Sequence, residues 1–226
     1  MSLLTHLGLR RDPTPKKILM GVRHASKDEL RRLISELDKR KPASVGLELR
    51  EDYETAFSVV GFFGDLYTHL RQNDTRIHLL ENPDLWNEYK AVELLTFVHE
   101  GSATIAGIQS DLRAIEDVLR KTSLYSAPEC VIPLDKSRQR LVSALEINGT
   151  LSDSDSVSKR WRELVSLRSE YFIFRILATM PEIVIVGLGH AVEMKPKLKG
   201  KYTLECFSCE GYDSSKPRIL DGHDLF

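Results

Sequence analysis

Short apolar runs alternate with amphipathic stretches along this chain. Ile18-Leu19-Met20 leads into Gly21-Val22-Arg23-His24, and Ile183-Val184-Ile185-Val186 leads into Gly187-Leu188-Gly189-His190. Each reads as a buried β-strand that ends in Gly-x-x-His. Val45 to Leu49 reads as a strand buried on both faces apart from Glu48, Arg76 to Leu80 as a short strand, and Tyr202 to Phe207 as the last. Ser26-Lys27-Asp28-Glu29 has the form of a capping box, and Leu30, Leu33, Ile34 and Leu37 then mark one helical face. Lys39-Arg40-Lys41-Pro42 ends that helix, and a longer helical stretch is expected from Glu51 to Gln72. Asn82-Pro83-Asp84 opens the next helix, with Asn as cap and Pro at the first helical position. Strands alternating with helices on short connections predict parallel pairing and right-handed crossovers.

The middle of the chain has a different rhythm. From Trp86 to about Glu146 the period is helical, with Val92, Leu95 and Phe97 in one helix and Ile105, Ile108, Leu112, Ile115 and Leu119 in the next. Pro128 and Pro133 are expected to break the run. A polar, turn-rich loop from Asn148 to Ser156 precedes a long helix to Thr179. The expected architecture is one α/β domain over residues 1–226. Its centre is a mixed, largely parallel sheet of about five strands flanked by helices, with a helical insertion at about 86–146.

Charge and cysteine usage narrow the function classes. The 226 residues carry 32 Lys and Arg against 33 Asp and Glu, a net charge of −1, so no global field points to nucleic acid or a membrane surface. No apolar run approaches the roughly 20 residues of a membrane span, and Met1 to Arg11 lacks the basic-then-apolar order of a signal peptide. The expected location is cytoplasmic. Cys130, Cys206 and Cys209 are too few for a disulfide framework. Cys206-Phe207-Ser208-Cys209 has no second pair to complete a zinc site and lies in strand-like sequence, so both cysteines read as ordinary thiols.

His24, Glu48 and His190 are polar groups where the apolar pattern says a strand ends. A carboxylate in a buried strand must be paired, neutralised or metal-bound, because a lone buried charge costs several kcal/mol. Two imidazoles and a carboxylate form a sound ligand set for zinc, and manganese, iron or cobalt also suit such donors. A water bound there becomes a nucleophile near neutral pH. Arg23 lies inside the first motif, where it serves an anionic group or a structural pair. His69, His78, His99 and His223 have no partner at ligand spacing and read as structural or solvent-facing. The Gly187-x-Gly189 element lacks the third small residue and following βαβ unit of a dinucleotide site, and neither a Walker loop nor a Gly-x-Ser-x-Gly elbow is present.

Four blocks in order carry a resemblance: Ile18-Leu-Met-Gly-Val-Arg-His24, Ser44-Val-Gly-Leu-Glu-Leu-Arg50, Leu167-Arg-Ser-Glu-Tyr171 and Val184-Ile-Val-Gly-Leu-Gly-His190. Together they resemble the TraB/PrgY/GumN/Tiki superfamily over roughly Lys17 to Leu198, and the middle segment contributes no match. The resemblance implies a metal-dependent hydrolase centre, acting on peptides in the manner of Tiki-type metalloproteases with manganese or cobalt. It makes His24, Glu48 and His190 the metal ligands, with Glu48 alternatively the general base. Arg168 becomes the helical Arg that holds a substrate carboxylate or oxyanion. Relatives often carry Asp-Arg after the third strand, where this chain has Glu81-Asn82, and many carry carboxy-terminal membrane helices that have no counterpart here. Glu81 then either replaces that carboxylate or serves a salt bridge or helix start.

Two rival readings use the same residues. A metal-independent, erythromycin-esterase-like hydrolase would take His24 as base, Glu48 as its orienter and Arg168 for the oxyanion. A non-catalytic module related to ChaN-like proteins would bind a peptide, a metal or haem. The expected partners are a peptide or small-molecule substrate and, through the helical insertion, a second copy of the chain as a homodimer.

Overall fold

The computed structural model describes residues 17–23, 26–52, 61–122, 128–151 and 153–207, except for the side chains of residues 122, 128–130, 132 and 133. Strands β1 (Lys17–Val22), β2 (Ser44–Arg50), β3 (Arg76–Glu81), β4 (Ile183–Gly187) and β5 (Tyr202–Cys206) form one sheet in the order β3-β2-β4-β1-β5. Every pairing is parallel, so the sheet is uniform rather than mixed. All five strands fall where the apolar runs predicted them. β1 and β4 lie side by side, with Gly21 opposite Val186 and Val22 opposite Gly187.

Helix α1 (Lys27–Arg40) starts as its sequence predicts, with the Ser26 hydroxyl accepting from Glu29 N–H. The Glu29 carboxylate reaches farther back than a simple capping box requires and accepts from Arg23 N–H at 2.7 Å. That bond ties the end of β1 to the first turn of α1. Lys41, at φ 46°, closes the helix in the left-handed conformation. The helix expected from Glu51 starts later: Glu51 and Asp52 form a turn, Gly61 at φ 122° is the N-cap of helix α2 (Phe62–Gln72), and residues 53–60 lie outside the described set.

Helices α3 (Pro83–His99), α4 (Ile105–Thr122), α5 (Pro128–Asn148) and α6 (Ser154–Thr179) all lie between β3 and β4. The Asn82 side chain caps α3 as predicted. Pro133 does not break the helical run as expected, whereas Pro128 opens a new helix after residues 123–127, which lie outside the described set. Pro128 takes the first helical position, where a missing N–H costs nothing, and the helix continues through residue 133. A short helix that the sequence pattern did not reveal, α7 (Leu188–Met194), begins directly after β4 with Gly187 as its N-cap. His190 therefore sits in the first turn of a helix rather than at the strand's end.

The sheet has one apolar cluster on each face. Met20, Val22, Val45, Leu47, Ile183 and Ile185 pack with α1 and α2. Leu19, Leu80, Val184 and Val186 pack with Phe172 and Ile176 of α6 and Ala191 and Met194 of α7. A third cluster joins α3 and α5 to the first half of α6. Among the described residues, no helix is long and apolar enough to cross a membrane.

The helices that follow neighbouring strands lie on opposite faces of the sheet. Helices α1 and α2, which come after β1 and β2, pack on one face, whereas α7, which follows β4 between them, packs on the opposite face. Neighbouring connections that part to opposite faces open a gap in which α/β proteins bind ligands. The register between β2 and β3 also shifts here, from Leu47 opposite Leu79 to Arg50 opposite Glu81, so β2 carries one more residue than β3 over this stretch. Such a bulge re-aims side chains at a sheet's rim.

Candidate functional site

Glu48, Glu81, Arg168 and His190 converge at the carboxyl edge of the sheet. Glu48 is in β2, Glu81 ends β3, Arg168 comes down from α6, and His190 comes from the first turn of α7. Arg168 is the hub. Its Nε donates to both Glu81 oxygens at 3.1 and 3.0 Å, and its Nη2 donates to Glu81 Oε2 and, at 3.0 Å, to Glu48 Oε1. The guanidinium also lies over the Tyr89 ring at 4.4 Å, a cation–π contact from α3. Glu48 Oε2 accepts from the Gly187 N–H at 2.5 Å. The glycine turn after β4 therefore orients a carboxylate on the neighbouring strand.

Burial sets the electrostatics. Glu81 is 1% exposed and Arg168 5%. Burial pushes the Glu81 carboxyl above the usual carboxylate range, against the opposing pull of Arg168, and the nearby Glu48 charge adds to the rise. Burial opposes the charge on Arg168 as well, but Glu81 and Glu48 outweigh it and hold the guanidinium protonated. Arg168 is shared between two carboxylates, and Arg50 adds a smaller pull on Glu81. Arg50, the next cation along β2, is taken up by Asp52 through two hydrogen bonds and stacks on Trp86 at 5.0 Å.

His190 is 8% exposed and is held on three sides. Its Nε2 lies 3.6 Å from Glu48 Oε1, and its Nδ1 lies 2.7 Å from Ser169 Oγ. The Phe172 ring meets the imidazole edge-on at 5.0 Å between centroids. Ser169 Oγ in turn lies 2.5 Å from Glu193 Oε2. Ser169 and Glu193 escaped the reading of the sequence. A serine in a helix attracts no notice, and Glu193 shares a helical face with His190 only once α7 is seen as a helix.

The predicted residues are thus partly brought together. Glu48, Arg168 and His190 meet, and Glu81 joins them through the salt bridge weighed among its expected roles. Arg23 follows β1 directly and is half-buried. His24 lies outside the described residues, as do Cys209 and His223, and so does the side chain of Cys130. Cys206 is half-buried in β5 and in no disulfide among the described residues. His69 bonds Asp38 at 2.8 Å, as expected of a structural histidine. His78 is shifted below the usual imidazole value, first by burial and then by Arg76 and Arg175.

Among the described residues, no group of three or more His, Cys, Asp or Glu forms a metal cage. Glu48 and His190 present two donor atoms 3.6 Å apart, a spacing that bonds of about 2 Å from one divalent ion can span. The donor types, imidazole nitrogen and carboxylate oxygen, suit zinc, manganese or cobalt. Comparison of the chain with protein-family models, curated proteins and solved structures finds no match in any of the three.

Proposed function

We propose that this chain is a metal-dependent hydrolase of TraB/Tiki type, peptidase-like in its chemistry. One observation supports it most strongly. Glu48 and Glu81 share the single guanidinium of Arg168, and an imidazole nitrogen lies beside the Glu48 oxygen. A half-buried carboxylate oxygen beside an imidazole nitrogen, 3.6 Å apart, is a donor pair that suits a cation between Glu48 and His190.

In this reading Glu48 and His190 hold a divalent manganese, cobalt or zinc ion, with His24 as the third ligand. Such an ion, when bound, lowers the pKa of its water and polarises a substrate carbonyl. The chain's own groups do the rest. Gly187 N–H and Arg168 orient the Glu48 carboxylate, which acts as ligand or as the base that takes the water's proton. Arg168 works as a counter-ion and positioning group, since its Nε and Nη2 already serve two carboxylates. Arg23 serves an anionic group on the substrate. A peptide or small-molecule substrate would meet the chain at this carboxyl edge of the sheet, and the protein works in the cytoplasm.

A metal-independent, histidine-based hydrolase is the second reading. The contact that favours it is the full engagement of Glu48 by Arg168 and Gly187. Peptide and ester panels decide between them. The expected result is hydrolysis that a chelator abolishes, that manganese, cobalt or zinc restores, and that His190→Ala and Glu48→Gln remove. Chelator-resistant hydrolysis would replace the metal reading with the metal-free one. Ligand binding without turnover across both panels would make the chain a binding module.

A further inference from the structure

We infer that Ser169 and Glu193 are positioning residues that fix His190 as its Nδ1–H tautomer and turn its Nε2 toward Glu48. The use of Nε2 as a donor atom rests on the reading above, but the tautomer stands on its own geometry.

The argument starts from the proton count on Ser169. A hydroxyl has one proton and two lone pairs. Three groups surround Ser169 Oγ: the Val165 carbonyl at 3.1 Å, His190 Nδ1 at 2.7 Å and Glu193 Oε2 at 2.5 Å. A carboxylate is the strongest acceptor of the three, and it is also the closest. The hydroxyl proton therefore goes to Glu193. Nδ1 can then bond Oγ only by donating, which in the neutral ring puts the proton on Nδ1 and the lone pair on Nε2. The ring is rigid, so fixing Nδ1 on Ser169 aims Nε2 at the opposite side, where Glu48 Oε1 lies 3.6 Å away.

The surrounding fold holds the relay in place. Glu193 is three residues beyond His190 on α7, so both project from one face of that helix toward α6. Ser169 follows Arg168 on α6, so consecutive residues of one helix orient the imidazole and the carboxylate of the site. Phe172, one turn on, packs edge-on against the ring. Ser169 itself is 1% exposed, which keeps its hydroxyl from a substrate and leaves it an orienting role.

Long-range proton–nitrogen correlation spectra of the metal-free protein test this. They are recorded at about pH 8, above the ordinary imidazole titration. His190→Gln identifies the resonance. The expected wild-type signal is a protonated Nδ1 and a bare-ring Nε2. Glu193→Gln reverses the relay, because its amide can donate to Ser169 Oγ and the hydroxyl then donates to Nδ1, moving the ring proton to Nε2. Ser169→Ala moves the tautomer the same way, and Ser169→Thr restores it. An Nε2–H form in the wild type overturns the inference, and this needs no variant to fold. An unchanged tautomer in both Ser169→Ala and Glu193→Gln also overturns it. A retained Nδ1–H form in a protein that binds no manganese, cobalt or zinc supports the relay while removing the metal reading. Where metal does bind, loss of the relay is expected to weaken affinity about 10- to 100-fold.

Discussion

The first Gly-x-x-His motif runs along β1 as far as Val22, where Gly21 lies beneath α7. The second straddles the end of β4 and the first turn of α7. They are neighbours in the sheet, one residue out of step, with Gly21 opposite Val186 and Val22 opposite Gly187. Their glycines answer to different forces. A Cβ on Gly21 would come within 2.7 Å of Leu188 Cδ1 and 3.0 Å of Ala191 Cβ. The absence of a side chain is what lets α7 approach the sheet there. Gly187 instead offers its N–H to Glu48. Gly189 is exposed, and a Cβ on it would meet nothing within 4 Å. The same four-letter pattern therefore serves packing in one motif and carboxylate orientation in the other. Matching text alone is weak evidence that the two halves do matching work.

Changes at and around the two motifs would break or sharpen this contrast. The largest effect is expected at Arg168, whose guanidinium holds the carboxylate that Gly187 also holds. Arg168→Leu leaves two carboxylates buried around an apolar side chain and should cost about 3–5 kcal/mol in urea unfolding. A loss below about 1 kcal/mol would mean that the second motif is not organised by this ion network. Gly21→Ala should cost about 1–3 kcal/mol through overpacking against α7. An unchanged midpoint there would erase the packing role of the first motif. Gly189→Ala should stabilise the chain by about 0.5–1 kcal/mol, since alanine is the better helix former and space is open. Destabilisation at Gly189 would show that both motifs are sterically constrained after all.

The smallest expected signal is a slope with pH. The folded-state pKa of Glu81 is raised, so the folded chain binds more protons than the unfolded one between the ordinary carboxylate range and that raised value. Stability from this group is present below that window and falls as pH rises through it. Glu81→Gln should remove that part of the slope in unfolding measured from about pH 4 to pH 8. Equal slopes in variant and wild type would show that Arg168 fully compensates Glu81.

Much of the fold was legible because its strands are continuous apolar runs and its helices announce themselves through caps such as Ser26 and Asn82. Strand order was not legible, because β4 enters between β2 and β1 from far along the chain, and a non-local pairing leaves no local trace. α7 was hidden by its length of seven residues and by its glycines. In the site, Glu48 stood out as the one charge inside an apolar run. Arg168 drew notice only through the resemblance, and its double pairing joins Glu48 and Glu81 from two strands that pair far from α6 in the chain. Ser169 and Glu193 carry no pattern of their own and become meaningful only beside His190.

The central claim, a divalent ion held between Glu48 and His190, is tested most directly by metal content and calorimetric titration with manganese, cobalt and zinc. The account predicts stoichiometric binding of at least one of these ions by the wild-type chain, lost in both His190→Ala and Glu48→Gln while the variants stay folded. Absence of stoichiometric binding by the wild type, or equal binding by the two variants, would contradict it.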